Sequence, residues 1–178
     1  MSDKFEADRL KELPPYLFAE LDRIKEETIA SGVEVINFGI GDPDLPTPDG
    51  VIDRLCEAAR DPANHGYPTY NGMFELRRAV ADWYLRRFGV ELDPDEEVLV
   101  LIGAKEGIAH AFWALVDPGD LVLLPDPAFP MYRAQTLLCG GIPHELPLCR
   151  ETEFLPDLSS VEQRIAKKAK LLMLNYPN

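Results

Sequence analysis

Val98-Leu99-Val100-Leu101-Ile102-Gly103-Ala104-Lys105-Glu106-Gly107-Ile108-Ala109 is the stretch on which the reading of this chain turns. It opens with five apolar residues, which predicts a buried strand. Gly103 interrupts the run, and Glu106 to Phe112 then reads as a helix. A strand, a glycine turn and a helix start make a place for an anion. The first N–H groups of a helix have no partner within it, and the helix dipole is positive at that end. The turn Gly103–Lys105 can therefore hold a phosphate, with Ala104 in the turn and Lys105 adding a positive charge. A βα turn that merely contains a lysine gives the same pattern. The spacing matches neither the Gly-x-x-x-x-Gly-Lys-Ser/Thr loop nor the Gly-x-Gly-x-x-Gly fingerprint.

The surrounding chain has 178 residues, of which 46% are hydrophobic, and a formal net charge of −13. This is enough apolar material for a folded core. The acidic balance argues against a nucleic-acid or anionic-membrane surface, because both need clustered Lys and Arg. No apolar run reaches the length of a membrane span, and Met1 to Glu6 is charged where a signal peptide would be apolar. A cytoplasmic protein is the expectation. Cys56, Cys139 and Cys149 are odd in number and lack metal-ligand spacing, so they read as reduced, mostly buried thiols. His65, His110 and His144 are isolated, and no zinc motif is present.

Upstream, Pro14 and Pro15 introduce a helix with Leu17, Leu21, Ile24 and Thr28 on one stripe, ended by Ser31-Gly32. Val33 to Phe38 is strand-like. Residues 39–48 hold two Gly, three Pro and two Asp, which excludes regular structure and suggests a rigid loop beside a ligand. A short helix over Val51 to Ala59 is predicted to carry Ile52, Leu55 and Cys56 inward. Tyr67 to Gly72 is a second rigid loop with two tyrosines. A long helix follows, with Met73, Leu76, Val80, Trp83 and Tyr84 inward and Arg77, Arg78, Arg86 and Arg87 solvated, and Gly89 stops it.

Downstream, Leu121 to Leu124 is a short apolar strand leading to the loop around Phe129. Met131 to Cys139 is helical. Pro143 to Leu148 is a strand near an edge because of its prolines. Asp157 to Ser160 caps a helix through Lys168, and Lys170 to Asn175 is a further buried strand. Strands and helices alternate from Val98 on, which predicts an α/β fold with a mainly parallel sheet. Ligands bind beyond the carboxyl ends of such strands. Gly103–Lys105, Phe129 and Asn175–Asn178 would gather there, and a phosphate cradle beside a flat ring suits a planar, phosphorylated ligand.

Five motifs in order then carry a resemblance: Gly39-Ile40-Gly41-Asp42-Pro43-Asp44, Gly66-Tyr67-Pro68, Gly103 to Ile108, Asp126-Pro127-Ala128-Phe129-Pro130, and Leu174-Asn175-Tyr176-Pro177-Asn178. Together they resemble the fold-type I, class I/II aminotransferases, which use pyridoxal 5′-phosphate. Leu13 to Phe18 and Leu45 to Pro48 are similar to the LL-diaminopimelate aminotransferase branch. The resemblance implies an N-terminal arm with a small-domain segment over 1–45 and an incomplete cofactor-binding large domain over 46–178. It implies transfer of an amino group between an amino acid and a 2-oxo acid, with LL-diaminopimelate and 2-oxoglutarate as the pair. Aspartate, alanine or aromatic substrates are the alternative, since Tyr70 and Asn71 stand where other diaminopimelate enzymes can carry an acidic residue.

The family's roles imply that Gly103, Ala104 and Lys105 hold the cofactor phosphate and that Phe129 stacks on its ring. Tyr67 would reach the phosphate bound by a second copy, so a homodimer is implied. Gly41 and Tyr16 would lie beside the substrate. The Schiff-base lysine, like the family's ring-nitrogen Asp and substrate-carboxylate Arg, is expected beyond Asn178, so no catalytic residue is assigned within these 178 residues. A fragment is the expected status of the chain. A non-catalytic binding or dimerisation module is the alternative of another class.

Overall fold

The computed structural model describes residues 5–39, 41 and 43–176. It divides into two compact units, one made of Leu17–Leu101 and the other of Met1–Tyr16 with Ile102–Asn178.

The unit Leu17–Leu101 is helical. Its elements are α1 (Leu17–Ala30), α2 (Asp49–Arg60) and α3 (Phe74–Phe88), with a 3-10 turn over Pro62–His65. The helix boundaries follow local chemistry. Pro48 precedes α2, Asp61 caps the 3-10 turn by accepting from Ala63 N, and Gly89 closes α3. On α1, Arg23 pairs with Glu20 and Glu27, and the guanidinium holds the Glu20 carboxyl below its usual range.

The predicted inward faces of these helices are not covered. Leu17, Leu21 and Ile24 on α1 are exposed, as are Ile52, Leu55 and Cys56 on α2, Leu76, Trp83 and Tyr84 on α3, and Met73 just before it. The buried positions of α3 are instead Arg77 and Ala81, one turn apart. Arg77 is not solvated. It is 5% exposed and donates to the carbonyls of Gly72 and Pro94 and to the Asp95 carboxylate. A guanidinium spreads several donors over a plane, so it ties the turn before α3 to the turn over Pro94–Glu96. Gly72, at φ +88°, belongs to this brace, because a Cβ there would come within 2.5 Å of Val100.

Val98 to Ile102 is not a strand, and neither is Val33 to Phe38. Both runs carry strand-forming side chains. A strand also needs a neighbour for its N–H and C=O groups, and no described strand pairs with either run. Ile36, Phe38, Leu99 and Ile102 are exposed as a result.

The other unit is α/β. It contains α4 (Ala104–Leu115), β1 (Leu121–Asp126), α5 (Met131–Leu138), β2 (Ile142–Pro147), α6 (Gln163–Lys168) and β3 (Ala169–Leu172). The sheet order is β2-β1-β3, and both pairings are parallel, as the alternation of elements predicts. Leu121 pairs with Ile142 and Asp126 with Pro147. The β1–β3 register shifts between Leu121 and Val122. β2, with its two prolines, lies on an edge. The helix expected over 157–168 is split. A 3-10 turn, Leu158–Ser160, precedes α6, because the Asp157 carboxylate accepts from both Ser159 N and Oγ and closes the chain locally. Those bonds hold the Asp157 carboxyl below its usual range.

The core of this unit joins Phe112 and Val116 of α4, Val122 and Leu124 of β1, and Tyr132 of α5. Cys139 packs against that cluster, and burial pushes its thiol up. The three cysteines are free, but Cys56 and Cys149 are exposed rather than buried. A 3-10 turn, Asp8–Glu12, also packs on α5.

Phe112 is 0% exposed, so Phe112→Ala should cost about 3–5 kcal/mol in urea unfolding. Arg77→Leu should cost roughly 2–3 kcal/mol, because two carbonyls lose a charged donor. Asp95→Ala should cost less than about 1 kcal/mol, since that carboxylate is 63% exposed. Equal losses at Arg77 and Asp95 would show that the ion pair, and not the carbonyl bonds, carries the brace.

Candidate functional site

The start of α4 is shaped by one glycine. Gly103 has φ +154° and ψ 166°, a region that residues with a Cβ scarcely enter. An added Cβ would meet nothing within 4 Å, so the requirement lies in the backbone and the space in front of the turn is open. Gly103 offers no side-chain cap, and the N–H groups of Ala104, Lys105 and Glu106 lie in the first helical turn, where no intrahelical acceptor exists. The Glu106 carboxylate reaches back to Ile102 N at 2.7 Å and holds the chain's entry into the helix.

Beyond the carboxyl end of β1 runs the loop Pro127–Pro130, which begins with a cis Asp126–Pro127 peptide. It presents Phe129, which is 36% exposed. The Lys105 ammonium lies over the Phe129 ring, 5.5 Å from its centre. The first turn of α4 and the loop after β1 therefore meet, and a cation and an aromatic face stand side by side. The Tyr132 ring packs edge-on against Phe129, with centres 5.7 Å apart and planes at 82°. The Tyr132 hydroxyl donates to Asn175 Oδ1 at 3.2 Å, which brings in the segment after β3.

Of the residues singled out from sequence, Gly103, Ala104, Lys105 and Phe129 are brought together in this unit. Tyr16 belongs to the same unit and is exposed immediately before α1. Gly41 and Tyr67 belong to the helical unit. Gly41 is exposed with open space around it, while its neighbours Ile40 and Asp42 lie outside the described residues, as do Pro177 and Asn178. Tyr67 is fully exposed on a loop anchored at its start by Asn64 Nδ2 donating to Ala58 O and by His65 Nε2 contacting Ala59 O. The turn at the loop's end is closed by Thr69 Oγ1 donating to Gly72 O.

Sequence reasoning did not single out Tyr132. Its signal was available: it lies three residues after Phe129, the i,i+3 distance at which side chains meet across a helical turn. Among the described residues no cluster of His, Cys, Asp or Glu could hold a metal ion, and no helix is long and apolar enough to cross a membrane.

The chain that carries this helix start, cation and ring face is similar to known proteins. The family model described as aminotransferase class I and II matches residues 33–178. The LL-diaminopimelate aminotransferase of Aquifex aeolicus is 58% identical over 172 residues, which is 97% of this chain and 44% of that protein. The enzyme of the same name from Halothermothrix orenii is 55% identical over 172 residues, with the same coverage. Among solved structures, a probable N-succinyldiaminopimelate aminotransferase from Thermus thermophilus superposes with a TM-score of 0.83 at 38% identity, covering 92% of this chain and 44% of its own. The chain thus spans less than half the length of the relatives it matches. By the family match over 33–178 and identities above one half, it belongs to the class I and II aminotransferases.

Proposed function

We propose that the protein carrying this chain is a pyridoxal 5′-phosphate-dependent aminotransferase acting on LL-diaminopimelate and 2-oxoglutarate. The observation that carries the reading is the pairing of the open α4 start with the Lys105–Phe129 contact at 5.5 Å. That pairing fits a phosphorylated planar ring: an anion at the helix start and an aromatic plane on the half-exposed Phe129. The name shared by relatives at 55% and 58% identity supports LL-diaminopimelate as the amino donor.

When bound, the cofactor supplies an electron sink for the carbanion left when the substrate loses its α-proton. The chain's own part is binding and orientation. The N–H groups of Ala104 and Lys105 would hold the phosphate, since Gly103 keeps side-chain bulk away from them. The Lys105 ammonium would leave the Phe129 face to pair with that phosphate, freeing the ring to stack. In a chain of net charge −13, this local cation offsets the general repulsion of an anionic ligand. Lys105 is thereby read as a phosphate ligand and not as the covalent anchor. Tyr67, fully exposed on a braced loop, would reach the phosphate held by a second copy, which makes the working form a homodimer. Gly41 and Tyr16 would line the substrate. In the same reading residues 1–45 form an arm and small-domain segment, residues 46–178 belong to the large domain, and the enzyme works in the cytoplasm.

Tyr70 and Asn71 favour a second reading of the substrate. A tyrosine and an amide cannot pair by charge with the distal amino group of diaminopimelate, so an aspartate, alanine or aromatic substrate is the competing choice. The test uses protein expressed from the complete reading frame, sequenced past the codon for Asn178. It should bind pyridoxal 5′-phosphate, read by absorbance, and turn over LL-diaminopimelate with 2-oxoglutarate. Turnover of aspartate or alanine without diaminopimelate would select the second reading, and no cofactor binding at all would leave a non-catalytic module. Lys105→Met should weaken pyridoxal 5′-phosphate binding about 3- to 10-fold at low salt, as expected for losing one exposed charge-assisted contact. Affinity for pyridoxal, which lacks the phosphate, should stay unchanged. An equal loss for both ligands would place Lys105 at the ring rather than the phosphate.

A further inference from the structure

Tyr132 is 5% exposed and forms part of the core cluster, yet it carries a polar atom there. A phenylalanine would fill the same space among Phe112, Val122 and Leu124. A hydroxyl brought this far from water needs a partner or it destabilises the fold. Its partner is Asn175 Oδ1 at 3.2 Å, 43 residues away in sequence. Asn175 follows β3, whereas Tyr132 follows the loop after β1. The bond therefore ties together the segments leaving two adjacent parallel strands.

Tyr132 is held firmly at its other contacts. Its N–H donates to Phe129 O at 3.1 Å, and its own carbonyl accepts from the fully buried Thr136 hydroxyl at 2.8 Å. Its ring stands edge-on to Phe129, at 82° between planes. The edge of one aromatic ring is electropositive and the face of another electronegative, so this arrangement resists rotation of either ring. Phe129 is thus propped by a residue that cannot swing away from it without breaking the bond to Asn175. An amide whose Oδ1 is fixed also has its Nδ2 direction fixed, because the group is planar.

We infer that Tyr132 is a positioning residue whose hydroxyl clamps the Asn175 segment to the Phe129 platform, so that the strand ends after β1 and β3 present one rigid floor to the cofactor ring. The inference rests on the cofactor reading above. The hydroxyl acts through Phe129 and Asn175 and touches no reacting atom.

The experiment compares Tyr132→Phe, Asn175→Ala and the double variant in the full protein, with Tyr132→Leu as a control that loses the ring as well. Two quantities are read: the dissociation constant for pyridoxal 5′-phosphate, and hydrogen exchange of the amides from Met173 to Tyr176. Tyr132→Phe should lower the unfolding midpoint only slightly, weaken cofactor binding by up to about 5-fold, the ceiling set by one neutral hydrogen bond, and speed exchange of that segment. The double variant should bind no more weakly than Asn175→Ala, because the two groups act through one bond. Tyr132→Leu should lose stability in addition. Unchanged affinity and unchanged exchange in Tyr132→Phe would overturn the clamp. If the parent protein binds no cofactor, the functional reading fails, and the exchange measurement still decides whether the hydroxyl holds the Asn175 segment.

Discussion

β1 has a parallel neighbour on each side, and Val122, Leu123, Leu124 and Pro125 are all buried. Every other feature of the α/β unit takes its position from that strand. α4 and α5 cover it through Phe112, Val116 and Tyr132, and Leu171 of β3 and Met173 just after it pack on the same cluster. The loop bearing Phe129 departs from its carboxyl end, and the Leu148 N–H returns to the Asp126 carbonyl at that same end. A strand flanked on both edges and covered on both faces is fixed in direction and register. The groups beyond its end inherit that fixity, which is what a site needs when it must present a ring face and a helix start together.

The parts legible in the sequence were those whose causes are local. Helix boundaries at Pro15, Gly32 and Gly89 and the strand at Leu121 all rest on chemistry within a few residues. The Gly103 turn belongs to this class, and with it the core of the candidate site. What the sequence could not disclose was partnership. Val98–Ile102 and Val33–Phe38 have the side chains of strands, but pairing depends on residues far along a chain, and no described strand meets them. The apolar stripes of α1 and α3 were legible as stripes, while their exposure was not. Periodicity says which residues share a face and does not say what that face meets.

Arg77 and Tyr132 show the same limit from the polar side. One reads as a solvated charge on a helix rich in arginine, the other as one more aromatic in a core. Each is defined by an acceptor that the neighbouring sequence does not announce: Pro94 O lies 17 residues from Arg77, and Asn175 Oδ1 lies 43 from Tyr132. Both bonds join segments that would otherwise be connected only through the chain. Long-range polar contacts of this kind add little net energy one by one, but they select one arrangement of loops among many that bury similar apolar area.

The strand order β2-β1-β3 also has a consequence in time. Both neighbours of β1 lie after it in the chain, and the first, beginning at Ile142, follows Leu121 by 21 residues. At a synthesis rate of roughly 5–20 residues per second, β1 waits about 1–4 s for the first of them to emerge. During that interval Leu121-Val122-Leu123-Leu124 is an uncharged apolar run with both edges unpaired, the kind of segment that recruits strands from other chains. A run whose residues 122–124 are buried in the finished fold is therefore an aggregation hazard in the nascent chain. Pro125 and Pro127, with Asp126 between them, close that run with two residues that cannot donate to a foreign strand and one charge, the composition of a gatekeeper.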